Sequence, residues 1–595
     1  MSKQIERNKA SSIPTIILYA LVVVGFWYFS KLPLPQLLIA AVLLAPLFAI
    51  LYLVLSYKGP KKSKLYGLEN LTAKLPAVKK AKGHVQFKYK LLWTFVVVVL
   101  YFVLTNIYIY GLDQSKTVDV FASFRAIFAG AEGSLMDLGI GPIVTASIVM
   151  QLFAGAKIFN IDLTNSDDKA IYQGVQKLIV ILMIFVEAIP QAFGYLVPDP
   201  ALITSLNSMA PGYGYFLSES IIVAQLFFGS YLVFLMDELV SKYGIGSGIS
   251  LFIAAGVSQQ LFTGAFNWAP VNTSLPYALS TTAALNNPPV GTIPNIIYTS
   301  IFGSASYLQS SLGIPRLLFS PPNPIIALIG TLLIFFIVAF FQSSKVELPI
   351  AHERVRGARG RYPLQLFYAS NIPVILATAL LANVSMWTLL FWSSPALSHI
   401  PLLGHNPLLG SYLTPSAASA LSVSSSQPTG GLAFYLYTPN GLADWLFPIL
   451  QPAVYGPTVL FNHTAWEEVI HIVVFLGFMT GASILFAKFW IETTNMGPSA
   501  VAKQIISSGM QIPGFRRDPK VLERVLKKYI PVITVFSGAA VGLLAASADL
   551  IGTVGQTSGT GLLLAVGIVI QFYEAMGREQ MMEMHPLIRQ FFSGA

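Results

Sequence analysis

Apolar runs of about 20 residues recur along this chain from end to end, and a helix of that length crosses the hydrocarbon core of a bilayer. No other feature narrows the available folds as far. Hydrophobic residues make up 54% of the 595 and charged residues 10%, against about 25% charged in an ordinary globular chain. The chain reads as an all-α polytopic membrane protein. It has no cysteine, which excludes disulfides, thiolate metal sites and thiol nucleophiles.

Twelve spans are expected, at about 13–30, 36–56, 91–111, 141–158, 171–195, 215–236, 247–266, 324–342, 367–392, 467–490, 529–550 and 561–577. The first follows Lys3, Arg7 and Lys9, as a signal peptide would. It is long, ends in bulky aromatics and lacks a small-x-small cleavage site, so it reads as a retained helix. The stretch 112–140 is less apolar and broken by glycine, and reads as a short re-entrant element.

Lys and Arg set the orientation. With the N-terminus in the cytoplasm, only Lys31, Lys116, Arg125 and Arg316 of the 36 basic residues fall outside. The short loops 196–214 and 551–560 have none, whereas 57–90 and 491–528 are rich in both residues. The positive-inside rule therefore predicts both termini in the cytoplasm. On that side lies "HERVRGARGRY", with Arg354, Arg356, Arg359 and Arg361 interleaved with Gly357 and Gly360. Guanidinium groups on a tight loop suit bidentate phosphate contacts, on RNA or on lipid head groups. A solvated loop obeying the positive-inside rule is the plainer reading. A second basic loop, Gly514–Lys528 with Arg516 and Arg517, is expected on the same face, and two such loops favour one large anionic partner.

Several long stretches occur in an order that closely resembles the SecY family, the pore subunit of the protein-translocation channel, and its archaeal members most of all. They are "GIGPIVTASIVMQL" (Gly139–Leu152), "SKYGIGSGISLFIAAGVSQ" (Ser241–Gln259), "HERVRGARG" (His352–Gly360), "GRYPLQLFYASNIPVILATALLAN" (Gly360–Asn383) and "FWIETT" (Phe489–Thr494). The resemblance covers about residues 67–595. It implies ten spans in two inverted, pseudo-symmetric halves, here 67–323 and 324–595, preceded by an extra two-span hairpin within 1–66. It also implies SecE-type and small beta-type subunits, a ribosome docked on the two basic loops, secretory and membrane nascent chains as cargo, lipid at the flank, and a plasma-membrane location. No cofactor or metal is implied.

Helical spacing places Ile140 with Val144, Ile249 with Ile253, and Ile372 with Ile375 on common faces. Taken alone, such apolar pairs would face lipid or a neighbouring helix. By resemblance they match the hydrophobic constriction ring of SecY-like channels, with Leu564 as a further member. A ring of branched aliphatics dewets when empty and has no charge to hold a passing chain. The segment Thr117–Gly139 falls where the family has its plug, with Gly130 and Gly133 as pivots. Glu187 is a carboxylate deep inside a span and so a functional suspect. The resemblance sets it with Thr145 and Asn383 at the lateral gate between the halves; alternatively, it would be the coupling group of a proton-coupled small-solute transporter.

The outer segments 267–323 and 393–466 are longer than the family core needs, and Ser416–Gly431 reads as flexible. There is no phosphate-binding glycine loop followed by Lys and no His-x-x-x-His pair. The chain is therefore not expected to be an enzyme.

Overall fold

The computed structural model describes residues 63–584 apart from short internal stretches, the longest being 114–123, 272–286, 353–358, 366–370, 394–401, 414–425, 451–462 and 512–518. The expected hairpin spans at 13–30 and 36–56 lie outside the described residues. The other ten spans are all helical: α1 (Phe87–Thr105), α2 (Gly141–Gly155), α3 (Ser166–Gly194), α4 (Gly214–Tyr243), α5 (Gly248–Phe266), α6 (Ile325–Ser343), α7 (Ile372–Ser393), α8 (Ala465–Thr493), α9 (Pro519–Ile551) and α10 (Gly559–Met584). Nine of these, among the described residues, are long and apolar enough to cross a membrane; α2 is apolar but shorter.

The helices close into a ring of contacts. Helix α3 packs on α2 and α4, α1 on α4, α7 and α9 on α8, and α6 on α10. The first five helices meet the last five along two lines, α2 and α3 against α7 with α2 also on α8, and α5 against α10. Small residues bring backbones together where contact is closest. A Cβ on Gly538 would stand 2.9 Å from Ile484 Cα, and one on Gly542 would stand 2.8 Å from Met479 O, so this glycine pair four residues apart lets α9 lie flush on α8. Turns are tied by side chains: Asp237, near the end of α4, accepts from Ile249 N at 2.9 Å and so caps the start of α5.

Three segments depart from the sequence expectation. Residues Pro519–Lys528, read as basic loop, are the first turns of α9. Leu522, Leu526 and Ile530 form an apolar face there, buried against Ile491, Val501 and Ile505, and Glu523 pairs with Lys527 at 2.9 Å. The remainder of that loop, with Arg516 and Arg517, lies outside the described residues. The fold is also not purely helical. Strands β1 (Lys345–His352) and β2 (Arg359–Gln365) form a hairpin. Short strands β3 (Ser411–Tyr412) and β4 (Pro428–Gly430) pair with each other, and β5 (Met510–Gln511) joins the free edge of β1. Lastly, the end of the stretch read as flexible is ordered into β4 and leads into the short helix Gly431–Leu436, with a second short helix, Leu442–Leu450, after it.

Candidate functional site

The re-entrant element expected between α1 and α2 contains a short helix, Arg125–Phe128, followed by turns up to Gly139. It packs against α5 and α10. A Cβ on Gly256 would lie 3.0 Å from Tyr101 Oη and 3.5 Å from Ala129 Cα, and one on Gly561 would lie 3.7 Å from Ile127 Cγ1. Those two glycines sit one helical turn from Ile253 and Leu564. All seven expected ring residues belong to a single apolar cluster: Ile140, Val144, Ile253, Ile375 and Leu564 are buried in it, and Ile249 and Ile372 are half-buried against it. Ile140 leads into α2, its N–H donating to Phe128 O at 2.8 Å, so the end of the short helix is bonded to the first of the expected ring residues.

Charge holds this element in place. Arg125 Nη1 lies 2.9 Å from Asp137 Oδ1, with both side chains almost wholly buried. Gly133 N donates to the same carboxylate at 2.9 Å, and Gln191 of α3 donates to its other oxygen. Removing one member of a buried pair leaves an unpaired charge and typically costs about 3–5 kcal/mol. Gly133 has φ +66°, the left-handed region that glycine enters without steric cost. Gly130 is needed for a different reason, since a Cβ there would come 2.7 Å from Asp137 O.

The three expected gate residues meet. Thr145 on α2 donates to Glu187 Oε1 on α3 at 2.7 Å, and Asn383 Nδ2 on α7 donates to Thr145 Oγ1 at 3.1 Å. Asn383 also donates to Ala379 O at 2.8 Å within its own helix. Glu187 is buried, and its Oε2 would stand 2.9 Å from a Cβ on Gly141, a position that only glycine leaves open. This chain of bonds crosses the line where α2 meets α7. Bonds of this kind between membrane helices contribute about 0.6 kcal/mol on average and up to about 1.7, enough to bias a seam without locking it.

Arg354 and Arg356 lie outside the described residues. Arg359 and Arg361 fall on β2, opposite Ala351 and Pro349 of β1. The segment bearing Arg516 and Arg517 issues from β5, which pairs with Ala351 and His352. The two basic segments therefore leave neighbouring strands of one sheet. Sequence reasoning missed the Arg125–Asp137–Gln191 bonds; their one signal was a pair of opposite charges within a glycine-broken apolar stretch. Among the described residues no group of three His, Asp or Glu side chains is placed to hold a metal ion.

A family model named SecY matches residues 134–573, and one described as the plug domain of Sec61p matches residues 99–133. The chain belongs to the SecY family. It is a multi-pass, protein-conducting channel subunit and not an enzyme, so the transporter reading of Glu187 falls away. The protein translocase subunit SecY of Haloferax volcanii is 43% identical over 527 residues, covering 88% of this chain and 98% of the relative. That of Archaeoglobus fulgidus is 42% identical over 532 residues, covering 89% and 98%. A solved protein-conducting channel superposes with a TM-score of 0.65 at 36% identity, over 87% of this chain and 98% of the other. A further structure, of Sec61 in a canine ribosome–channel complex, gives 0.62 at 36% identity over the same shares. The match to the plug model overlaps the expected plug segment at 117–133.

Proposed function

We propose that this chain is the central pore of a translocase that passes secretory polypeptides across the plasma membrane and releases transmembrane segments sideways into lipid. In this reading residues 67–323 and 324–595 are two inverted halves, and both termini and the two basic segments face the cytoplasm. Ile140, Val144, Ile249, Ile253, Ile372, Ile375 and Leu564 form the constriction. Residues 117–139 form the plug, with Gly130 and Gly133 as its pivots. Thr145, Glu187 and Asn383 hold the lateral gate.

The observation that carries this reading is the seat of the helix Arg125–Phe128 between α5 and α10, one turn from Ile253 and Leu564. A plug there covers the narrowest part of the path, and an apolar ring beneath it bars ions by dewetting. The apolar core of a signal sequence would open the seam by partitioning between its polar bonds and lipid. Energy would come from a partner, in keeping with a sequence that has no phosphate-binding glycine loop followed by Lys. A ribosome docked through Arg354, Arg356, Arg359, Arg361, Arg516 and Arg517 would supply it, with SecE-type and small beta-type subunits bracing the halves. The hairpin within 1–66 is an addition to this core.

Site-specific photocrosslinking from Ile253 to a ribosome-stalled secretory chain tests the proposal, with a lipid-facing position as control. Crosslinks at Ile253 alone are expected. Their absence, with complex assembled and probe reactive, would mean the polypeptide takes another path.

A further inference from the structure

We infer that two histidine–glutamate pairs form a proton-held clasp, which ties residues 428–437 to the start of α8 on the plug face of the molecule. Helix α8 opens with a capping box, Thr464 N donating to Glu467 Oε2 at 2.7 Å and Glu467 N to Thr464 Oγ1 at 3.4 Å. Just before it, His463 places Nε2 2.9 Å from Thr429 O and Nδ1 3.1 Å from Glu467 Oε2. Two turns further on, His471 repeats the arrangement, with Nε2 2.8 Å from Tyr437 O and Nδ1 3.1 Å from Glu468 Oε1. The Phe434 ring fills the space between the imidazoles, its centroid 4.2 Å from His463 and 5.0 Å from His471.

Counting hydrogens decides what holds these contacts. A carbonyl oxygen only accepts, so each Nε2 must carry a hydrogen. Each contact between Nδ1 and a Glu oxygen then needs one further proton, on the ring or on the carboxyl. With it the contact is a hydrogen bond; without it a nitrogen lone pair faces a carboxylate, and attraction turns to repulsion. Around the His471–Glu468 pair, both side chains being almost wholly buried, little water is present to soften that change.

Among the described residues, Glu467 and Glu468 form ion pairs with the two histidines and with no Lys or Arg. Residues 393–468 contain no Lys or Arg. The carboxylate facing Glu468 and His471 from the next element is Asp444, on the helix Leu442–Leu450, and it accepts from Asn440 N at 2.9 Å. Asp549 at the end of α9 is turned to Thr560, accepting from its N at 2.9 Å and its Oγ1 at 2.7 Å. His405 lies against the Trp392 ring. The helix Gly431–Leu436 between the pairs contributes only the phenol of Tyr435. Acid therefore fastens the clasp and alkali loosens it.

The clasp also reaches α7. Strand β4 pairs with β3, whose Tyr412 is bonded to Thr388 at 2.6 Å and, through its carbonyl, to Trp392 at 3.1 Å. Loosening at α8 would free the segment that bridges the ends of α7 and α8.

The test uses full-length protein in liposomes, which has no native cysteine. A cysteine at buried Ala433 is labelled from the plug face with a membrane-impermeant maleimide at pH 6 and pH 9. Its rate is divided by that of a cysteine at exposed Leu402, which cancels thiol ionisation. Labelling of A433C should be at least tenfold faster at pH 9 than at pH 6 on this scale. Adding E468Q should cut that acceleration at least threefold, because its amide N–H replaces the proton shared with His471; Glu467 is left in place because its Oε2 also accepts from Thr464 N. Equal rates at both pH values in the parent, or the same acceleration in E468Q, would overturn the proposal. A purely structural role for Glu468 predicts fast labelling at both pH values in E468Q, which would overturn it as well.

Discussion

Asn383→Ala isolates the bond that crosses the seam. In the structure Asn383 Nδ2 donates to Thr145 Oγ1 at 3.1 Å, and its other bond, to Ala379 O, lies within α7. Alanine keeps the helix, being the best helix former, so the substitution acts on the seam and not on the fold of α7. The lost bond is worth about 0.6–1.7 kcal/mol in a membrane helix pair, which at RT of about 0.59 kcal/mol raises the open-to-closed ratio roughly 3- to 18-fold. Spin labels at F153C on α2 and L485C on α8, both exposed positions, would report that ratio as the populations of two distances. Adding T145A also removes the bond to Glu187, which joins α2 to α3 on one side of the seam, so T145A/N383A should open the seam no further than N383A. The effect should fall short of the sum of the single changes, because the two residues share one bond. An open fraction within twofold of the parent, or a smaller one, would refute the view that this chain of bonds holds the seam.

Gly256→Leu should raise resting ion leak in liposomes, since even a Cβ there crowds Tyr101 Oη at 3.0 Å and Ala129 Cα at 3.5 Å; an unchanged leak would place the plug elsewhere. Burial pushes the Asp444 carboxyl up to about 6, so the folded state binds that proton more tightly than the unfolded chain. The stabilisation this brings is full below about pH 4 and is lost as pH rises to about 6. Asp444→Asn should therefore raise the Tm at pH 7, by at most about 3 kcal/mol of stability, and leave it unchanged at pH 4; a lower Tm at pH 7 would contradict this. Charge reversal at Arg354 and Arg356 should weaken ribosome binding and flatten its salt dependence; unaltered binding at physiological salt would remove the docking assignment.

The ten helices of the core were legible in the sequence because span length follows from local hydrophobicity, with each helix satisfying its own backbone in lipid. The family was legible too, from long stretches such as Ser241–Gln259 and Gly360–Asn383. Where an end shifted, as at Pro519–Lys528, a charged run concealed an apolar face whose partners, Ile491, Val501 and Ile505, come from elsewhere in the chain. The resemblance set Thr145, Glu187 and Asn383 together, but their spacing did not, and tertiary structure alone decided which atoms bond. Glu187 meets Thr145 across 42 positions and Thr145 meets Asn383 across 238. His463 and His471 each reach a carbonyl 34 positions back. Hydrophobicity tells a helix to enter the membrane, but a buried polar atom bonds whichever group packing brings within about 3 Å.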